Sequence, residues 1–254
     1  MPAGGTGLVL RGLRKEPATI GKWHLGWDLT YKEGKAKTVD NIGFTKRMAN
    51  GPTDRGFDYF YGLTSPSGPP HLYRVNDMAE KQPNTRFEES GGGLYKIKGG
   101  IGHSDWSADG MQPHLADKML EYLDENKDSD KPFFLYMALT APHIPLFPSK
   151  EFKGKSKIGD YGDLVMMIDD IVGRVNRKLK EIGKYDNTIV MFAADNGCAG
   201  YINMDRINRK GHYPSYIYRG YKSHGWEGGH RIPFILSWGD RYGHCLLYTS
   251  DAAD

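Results

Sequence analysis

The sequence predicts an α/β domain with a largely parallel sheet, and three observations predict it. Short runs of β-branched and aromatic residues alternate with longer stretches of helical periodicity. The helical stretches are followed by a Gly or a polar turn and then by the next apolar run. Four clusters of charged and polar residues sit near the ends of candidate strands, where open parallel sheets bind their ligands.

Taken in order, residues 18–23 form the first candidate strand. Residues 26–110 read as loops and insertions on the substrate side, because Ser65-Pro66-Ser67-Gly68-Pro69-Pro70 and Gly91-Gly92-Gly93 break any regular element. A helix is expected over 114–125, with Leu115, Met119 and Leu123 at four-residue spacing. The apolar strand 133–139 follows, flanked by Lys131-Pro132 and Pro142. The clearest helix spans 161–182. Its apolar stripe is Leu164, Ile168, Ile171, Val172, Val175, Leu179 and Ile182, with Lys178, Lys180 and Glu181 facing away and Gly183 as the stop. Residues 188–193 then read as a buried strand and 232–237 as another.

Composition narrows the function classes. A net charge of +3 over 254 residues, with no basic block, calls for neither nucleic acid nor an anionic membrane as partner. No run approaches the roughly 18 apolar residues of a spanning helix, and residues 1–6 lack the charged start and apolar stretch of a secretory signal. With 33 Gly and 14 Pro, about a fifth of the chain, the sequence is loop-rich without being low-complexity. Cys198 and Cys245 cannot make a disulfide framework.

Each cluster has a chemical reading. In Gly21-Lys22-Trp23-His24-Leu25-Gly26, an extended backbone places Lys22 and His24 on one face, a fixed ammonium beside a titratable imidazole. That pair suits an oxyanion whose leaving oxygen needs a proton. Ala141-Pro142-His143-Ile144-Pro145 holds one histidine between two prolines, in an extended and rigid setting. Asp195-Asn196-Gly197 offers a carboxylate and an amide oxygen to a hard cation such as Ca²⁺ or Mg²⁺. Lys222-Ser223-His224-Gly225-Trp226-Glu227-Gly228-Gly229 lets a backbone turn approach a ligand closely and adds a second cation. Singly, each has an ordinary explanation: a solvated basic strand end, a histidine packing a turn, good turn sequence, and a Gly-rich surface loop. His71, His103, His114, His212 and His244 show no zinc spacing and are assigned to surface or packing.

Together the clusters resemble the sulfatases of the alkaline-phosphatase-like superfamily, of the arylsulfatase A-like kind. The motifs GKWHLG at 21–26, GFDYFYG at 56–62, APHIPL at 141–146, NTIVMFAADNG at 187–197 and KSHGWEGGHRIPFI at 222–235 follow the family's order. The resemblance implies an alkaline-phosphatase-like, mostly parallel sheet flanked by helices, truncated at its N-terminus. It also implies sulfuric ester hydrolysis with a formylglycine nucleophile and a calcium ion. Lys22 and Lys222 resemble the sulfate-binding lysines, and His24 the histidine that helps the catalytic hydrate expel sulfate. His143 resembles the histidine that binds and protonates the ester oxygen, and Asp195 and Asn196 half of the calcium site. Ser65 or Ser67 corresponds loosely to a substrate-contacting serine.

The resemblance is incomplete at the nucleophile. The family makes formylglycine in a CxPSR or SxPSR motif well before GKWHLG, whereas here no Cys or Ser precedes Lys22. The paired aspartates of the first core strand are missing too. The sequence is therefore expected to be an inactive piece of a sulfatase, with a partial catalytic domain over 13–244. Residues 245–254 resemble a translated sequencing adapter, TGT CTC TTA TAC ACA TCT GAC GCT GCC GAC, and are kept out of the fold reasoning. The implied substrate is a sulfated small molecule or a sulfated glycan. A phosphodiester or phosphonate hydrolase of the same superfamily, and a non-catalytic sulfated-glycan binder, are the competing readings. A bacterial source would imply a periplasmic or secreted protein.

Overall fold

The computed structural model describes residues 16–239, together with the backbone of 246–249. The chain divides into two compact units, residues 1–151 and 152–254.

The first unit is built on a five-stranded sheet of order β4-β3-β2-β1-β7. Its strands are β1 (Glu16–Lys22), β2 (Tyr59–Leu63), β3 (Arg74–Val75), β4 (Met78–Ala79) and β7 (Phe133–Ala138), with β5 (Thr85–Phe87) and β6 (Gly100–Gly102) forming a separate antiparallel pair. β1 runs parallel to both neighbours, pairing Gly21 with Gly62 on one side and with Ala138 on the other. β3 and β4 add to β2 as an antiparallel edge. The apolar side chains of β1 and β2 explain the core position: Ala18, Ile20, Phe60, Tyr61 and Leu63 are all buried. Gly21 is required there. Its φ is +131°, and a Cβ would lie 2.0 Å from the Ala138 carbonyl oxygen, so any side chain would force β1 and β7 apart.

Helix α1 (Met111–Glu125) buries Met111, Leu115, Met119, Tyr122 and Leu123, the four-residue spacing expected, with Met111 extending the stripe and Tyr122 widening it. The segment read as irregular over 26–110 contains β2 to β6 and several single 3₁₀ turns, so it has more order than its breakers suggested. A small cluster of Ile42, Phe44 and Leu72, with Tyr31 and Ile101 against it, gives this segment a core of its own.

In the second unit, helix α2 (Asp160–Glu181) buries Leu164, Met167, Ile168, Ile171, Val175 and Leu179, while Val172 and Ile182 of the expected stripe are half-buried. Asp163 is fully buried at its start. Its carboxylate accepts from the Gly154 and Ser156 N–H groups at 2.8 and 2.6 Å, which compensates the lost hydration and folds the preceding loop onto the helix.

Strands β8 (Ile189–Ala193), β9 (Pro233–Trp238) and β10 (Leu246–Thr249) form an antiparallel sheet of order β10-β9-β8. β9 begins at the end of the sheet where β8 finishes, so the two pair antiparallel across the long excursion between them rather than as members of a parallel sheet. β8 was expected to be buried and is not: strand alternation sends Ile189 (46% exposed) and Met191 (57%) to one face that lacks cover among the described residues. Four residues of the tail kept out of the fold reasoning make up β10, in register with β9.

Candidate functional site

In the first unit, three sequence-predicted residues lie at or just beyond the carboxyl ends of the adjacent parallel strands β1 and β7. Lys22 closes β1, its Cα in register with Leu63 of β2. The Trp23 N–H then donates to the Leu63 carbonyl at 3.0 Å, and the Trp23 indole N–H to the Gly26 carbonyl at 3.0 Å. His24 is exposed and has φ +48°, so the backbone has already left the strand. The expectation that Lys22 and His24 share one face of an extended segment is therefore corrected. A left-handed residue, not strand alternation, sets the direction of the imidazole.

His143 follows β7 in a tight turn closed by its own N–H on the Thr140 carbonyl at 3.1 Å. The expected extended setting is replaced by that turn. The ring Nδ1 lies 2.6 Å from the Ile144 carbonyl oxygen. Two acceptors would repel at that distance, so Nδ1 carries its hydrogen and donates. A half-buried imidazole held this way accepts a proton at Nε2 and, as the imidazolium, gives it up there without reorienting.

In the second unit, Asp195, Asn196 and Lys222 are assembled by backbone contacts. The Gly197 N–H donates to the Gly229 carbonyl at 2.9 Å, and the Lys222 N–H to the Cys198 carbonyl at 2.8 Å. A Cβ on Gly197 would come within 2.0 Å of the Gly228 carbonyl oxygen, which is why position 197 is glycine, while a Cβ on Gly228 would come within 2.2 Å of the Gly220 carbonyl oxygen. The two loops thereby bring the backbone of Lys222 against Cys198, three residues beyond the exposed Asp195.

The Asn196 amide donates its N–H to Asp195, which keeps its oxygen available as a second hard donor. This donor set suits Ca²⁺ or Mg²⁺ in kind, and it amounts to two side-chain oxygens. No group of three or more His, Cys, Asp or Glu gathers around a common point among the described residues. Cys198, beside the pair, is a half-buried free thiol whose burial pushes its pKa up, partly offset by a hydrogen bond with Tyr161, so it is a protonated thiol at neutral pH.

Two groups of the first unit were not visible in sequence. Arg74 is 1% exposed, with Trp27 below its guanidinium at 5.4 Å and a contact to the Met48 sulfur. Its Nη2 has no hydrogen-bond partner among the described residues. Burial lowers its pKa to about 10. Tyr61 donates to Glu80 and meets His114 Nε2, both at 2.7 Å. Burial is the main cause that raises the Tyr61 pKa and lowers that of His114. Tyr61 lies in the motif at 56–62, but nothing in the local pattern reveals these contacts, because the partners of Tyr61 lie 19 and 53 positions away. His71, assigned to surface or packing, is buried against Phe87 and Trp106. His244 lies outside the described residues.

Comparisons with known proteins give one answer. A family model described as Sulfatase matches residues 9–252. The chain is 29% identical to an N-acetylgalactosamine-6-O-sulfatase of Bacteroides thetaiotaomicron, over 86% of this chain and 48% of that one. It is 30% identical to an arylsulfatase of Hemicentrotus pulcherrimus, over 86% and 35% respectively. Among solved structures it superposes with a TM-score of 0.72 and 27% identity on a sulfatase described in the metabolism of multiple glycosaminoglycans by Bacteroides thetaiotaomicron, covering 90% of this chain and 53% of that one. The α/β, alkaline-phosphatase-like fold expected from the sequence is the fold found. The chain spans about half or less of the length of these curated relatives.

Proposed function

The chain belongs to the sulfatase family, and from that premise we propose that the whole protein carrying it is a sulfuric ester hydrolase in which Lys22, Lys222, His24 and His143 handle the sulfate. The observation that supports this most directly is the exit of Lys22, His24 and His143 from the same end of two neighbouring parallel strands. Lys22 and Lys222 bind the sulfate and stabilise the charge that builds on its oxygens. His143, held with Nδ1 as donor to the Ile144 carbonyl, delivers the Nε2 proton to the departing ester oxygen. His24 accepts and returns the proton that accompanies sulfate release.

Asp195 and Asn196 would hold one side of a calcium ion. That ion would supply positive charge for the sulfate oxygens, while a formylglycine would provide the nucleophile. This sequence contains no CxPSR or SxPSR motif from which a formylglycine is made. Relatives named as N-acetylgalactosamine-6-sulfatases and arylsulfatases suggest a sulfated glycan or a sulfated small molecule as substrate.

The test uses the chain joined to an upstream segment that carries the CxPSR motif and the paired aspartates. His143→Ala should cost about 10²–10⁴-fold in turnover of a sulfate ester with a poor leaving group, and much less with a nitrophenyl sulfate that needs no proton. His24→Ala should slow turnover whatever the leaving group and let a sulfated enzyme accumulate, visible by intact mass. The same leaving-group dependence in both variants contradicts the separate roles.

A further inference from the structure

Between β8 and β9 the second unit carries an excursion, residues 200–227, whose composition differs from that of the rest of the chain. It holds five tyrosines and one tryptophan, and its Lys and Arg exceed its Asp and Glu by three, against +3 for all 254 residues. Aromatic side chains ordinarily bury their rings. Here Tyr213, Tyr216 (70% exposed), Ile217 (78%) and Trp226 all face solvent. A run of exposed apolar surface mixed with charge marks a binding face.

The cations are arranged with the rings. The Arg219 guanidinium stacks over the Trp226 ring at 4.0 Å, which fixes the plane of both groups. Neither Arg209 nor Arg219 is ion-paired among the described residues, so each keeps its charge for an outside anion. The excursion is pinned rather than loose. Its far end is tied back by the Lys222 N–H on the Cys198 carbonyl and by the Gly228 N–H on the Arg219 carbonyl, at 2.8 and 2.9 Å.

Flat rings that stay in water, interleaved with unpaired guanidinium groups, match a ligand with apolar faces and repeated negative charge. A sulfated polysaccharide has that chemistry: pyranose C–H faces for the rings, and sulfate or carboxylate groups for Arg209 and Arg219. We propose that this excursion grips the non-reacting sugar units of a sulfated glycan, Tyr213, Tyr216, Ile217 and Trp226 taking sugar faces and Arg209 and Arg219 taking their anions. The inference rests on the sulfuric ester hydrolase reading, since Lys222 belongs to the same excursion, and it narrows the substrate from sulfate esters in general to glycan chains.

The experiment measures binding, without catalysis, by titrating the 254-residue chain with a chondroitin sulfate hexasaccharide, the chemically desulfated hexasaccharide, and a thymidine oligonucleotide of comparable charge. The sulfated hexasaccharide should bind tightest. A Tyr216→Ser/Ile217→Ser double variant should weaken it by roughly five-fold or more, as loss of a contact worth more than about 1 kcal/mol does. Arg219→Gln should weaken it and flatten its salt dependence. Both variants change exposed side chains, and an unchanged thermal transition checks that they fold.

Equal binding of the sulfated and desulfated sugars, unaltered affinity in the double variant, or tighter binding to the oligonucleotide overturns the proposal. The hydrolase reading is scored apart from it, by turnover of a small aryl sulfate in the whole protein. Turnover with no glycan binding defeats this inference alone, and glycan binding with no turnover upholds it while defeating the hydrolase reading.

Discussion

Arg74 shows how a single residue carries information that its neighbours in sequence do not. A guanidinium this deeply buried is ordinarily paired with a carboxylate, and here its contacts are the Trp27 ring and the Met48 sulfur. Burial lowers its pKa to about 10, so at neutral pH it remains charged and the folded state bears the desolvation. Arg74→Met, which keeps the volume and drops the charge, should leave stability unchanged or raise it by up to about 3 kcal/mol. Arg74→Ala should lower it by about 2 kcal/mol or more through the cavity left beside Trp27. Urea denaturation of the two variants separates charge from volume, and a large loss in Arg74→Met would mean that the cation has an anionic partner. Lys22, His24, His143, Asp195, Asn196 and Lys222 could be singled out as candidates in sequence because each sits in a short motif, and their roles stay part of the proposal. The surroundings of Arg74, Tyr61 and His114 were not legible, because they are made by segments distant in the chain.

At the scale of elements, hydrophobic period located the strands and helices well. β1, α1, β7, α2, β8 and β9 all fall within three residues of their expected bounds. Pairing direction was not legible, since alternation along β8 is the same whether its partner runs parallel or antiparallel. Close backbone approach was legible only as glycine without its reason. At Gly21 the reason is the Ala138 carbonyl, so Gly21→Ala combines a φ of +131° with a 2.0 Å collision. It should destabilise the first unit by roughly 3 kcal/mol or more, or prevent folding. Gly26→Ala, where a Cβ meets nothing within 4 Å but φ is also positive, is the control for conformational cost alone. Similar losses in the two variants, by chemical denaturation, would refute the steric account of Gly21.

For the molecule as a whole, the pH dependence of stability follows from His71 and His114. Burial is the largest cause lowering both imidazoles below 6.5. Between the folded values and 6.5 the unfolded chain binds more protons than the folded one. Stability is therefore full above pH 6.5 and falls as pH drops from 6.5 through the folded values, by at most about 1.4 kcal/mol per pH unit for each ring. Denaturation at about pH 7.5 and pH 5.5 should show this loss, and His114→Gln should reduce it. An unchanged pH slope in that variant would remove His114 from the account. The 254-residue chain alone should also bind calcium weakly, because Asp195 and Asn196 bring two oxygens where the ion takes about six to eight. Calorimetry giving micromolar affinity that is lost in Asp195→Ala would mean that other carboxylates complete the site.

The central claim, that this family member's cations and histidines serve sulfuryl rather than phosphoryl transfer, is tested most directly by one comparison. The whole protein, with its nucleophile, is given nitrophenyl sulfate and nitrophenyl phosphate under identical conditions, and kcat/KM is measured for each. A preference for the sulfate ester of about 10²-fold or more, lost together with the activity in Lys222→Ala, is the expected result. Faster hydrolysis of the phosphate ester would contradict the account.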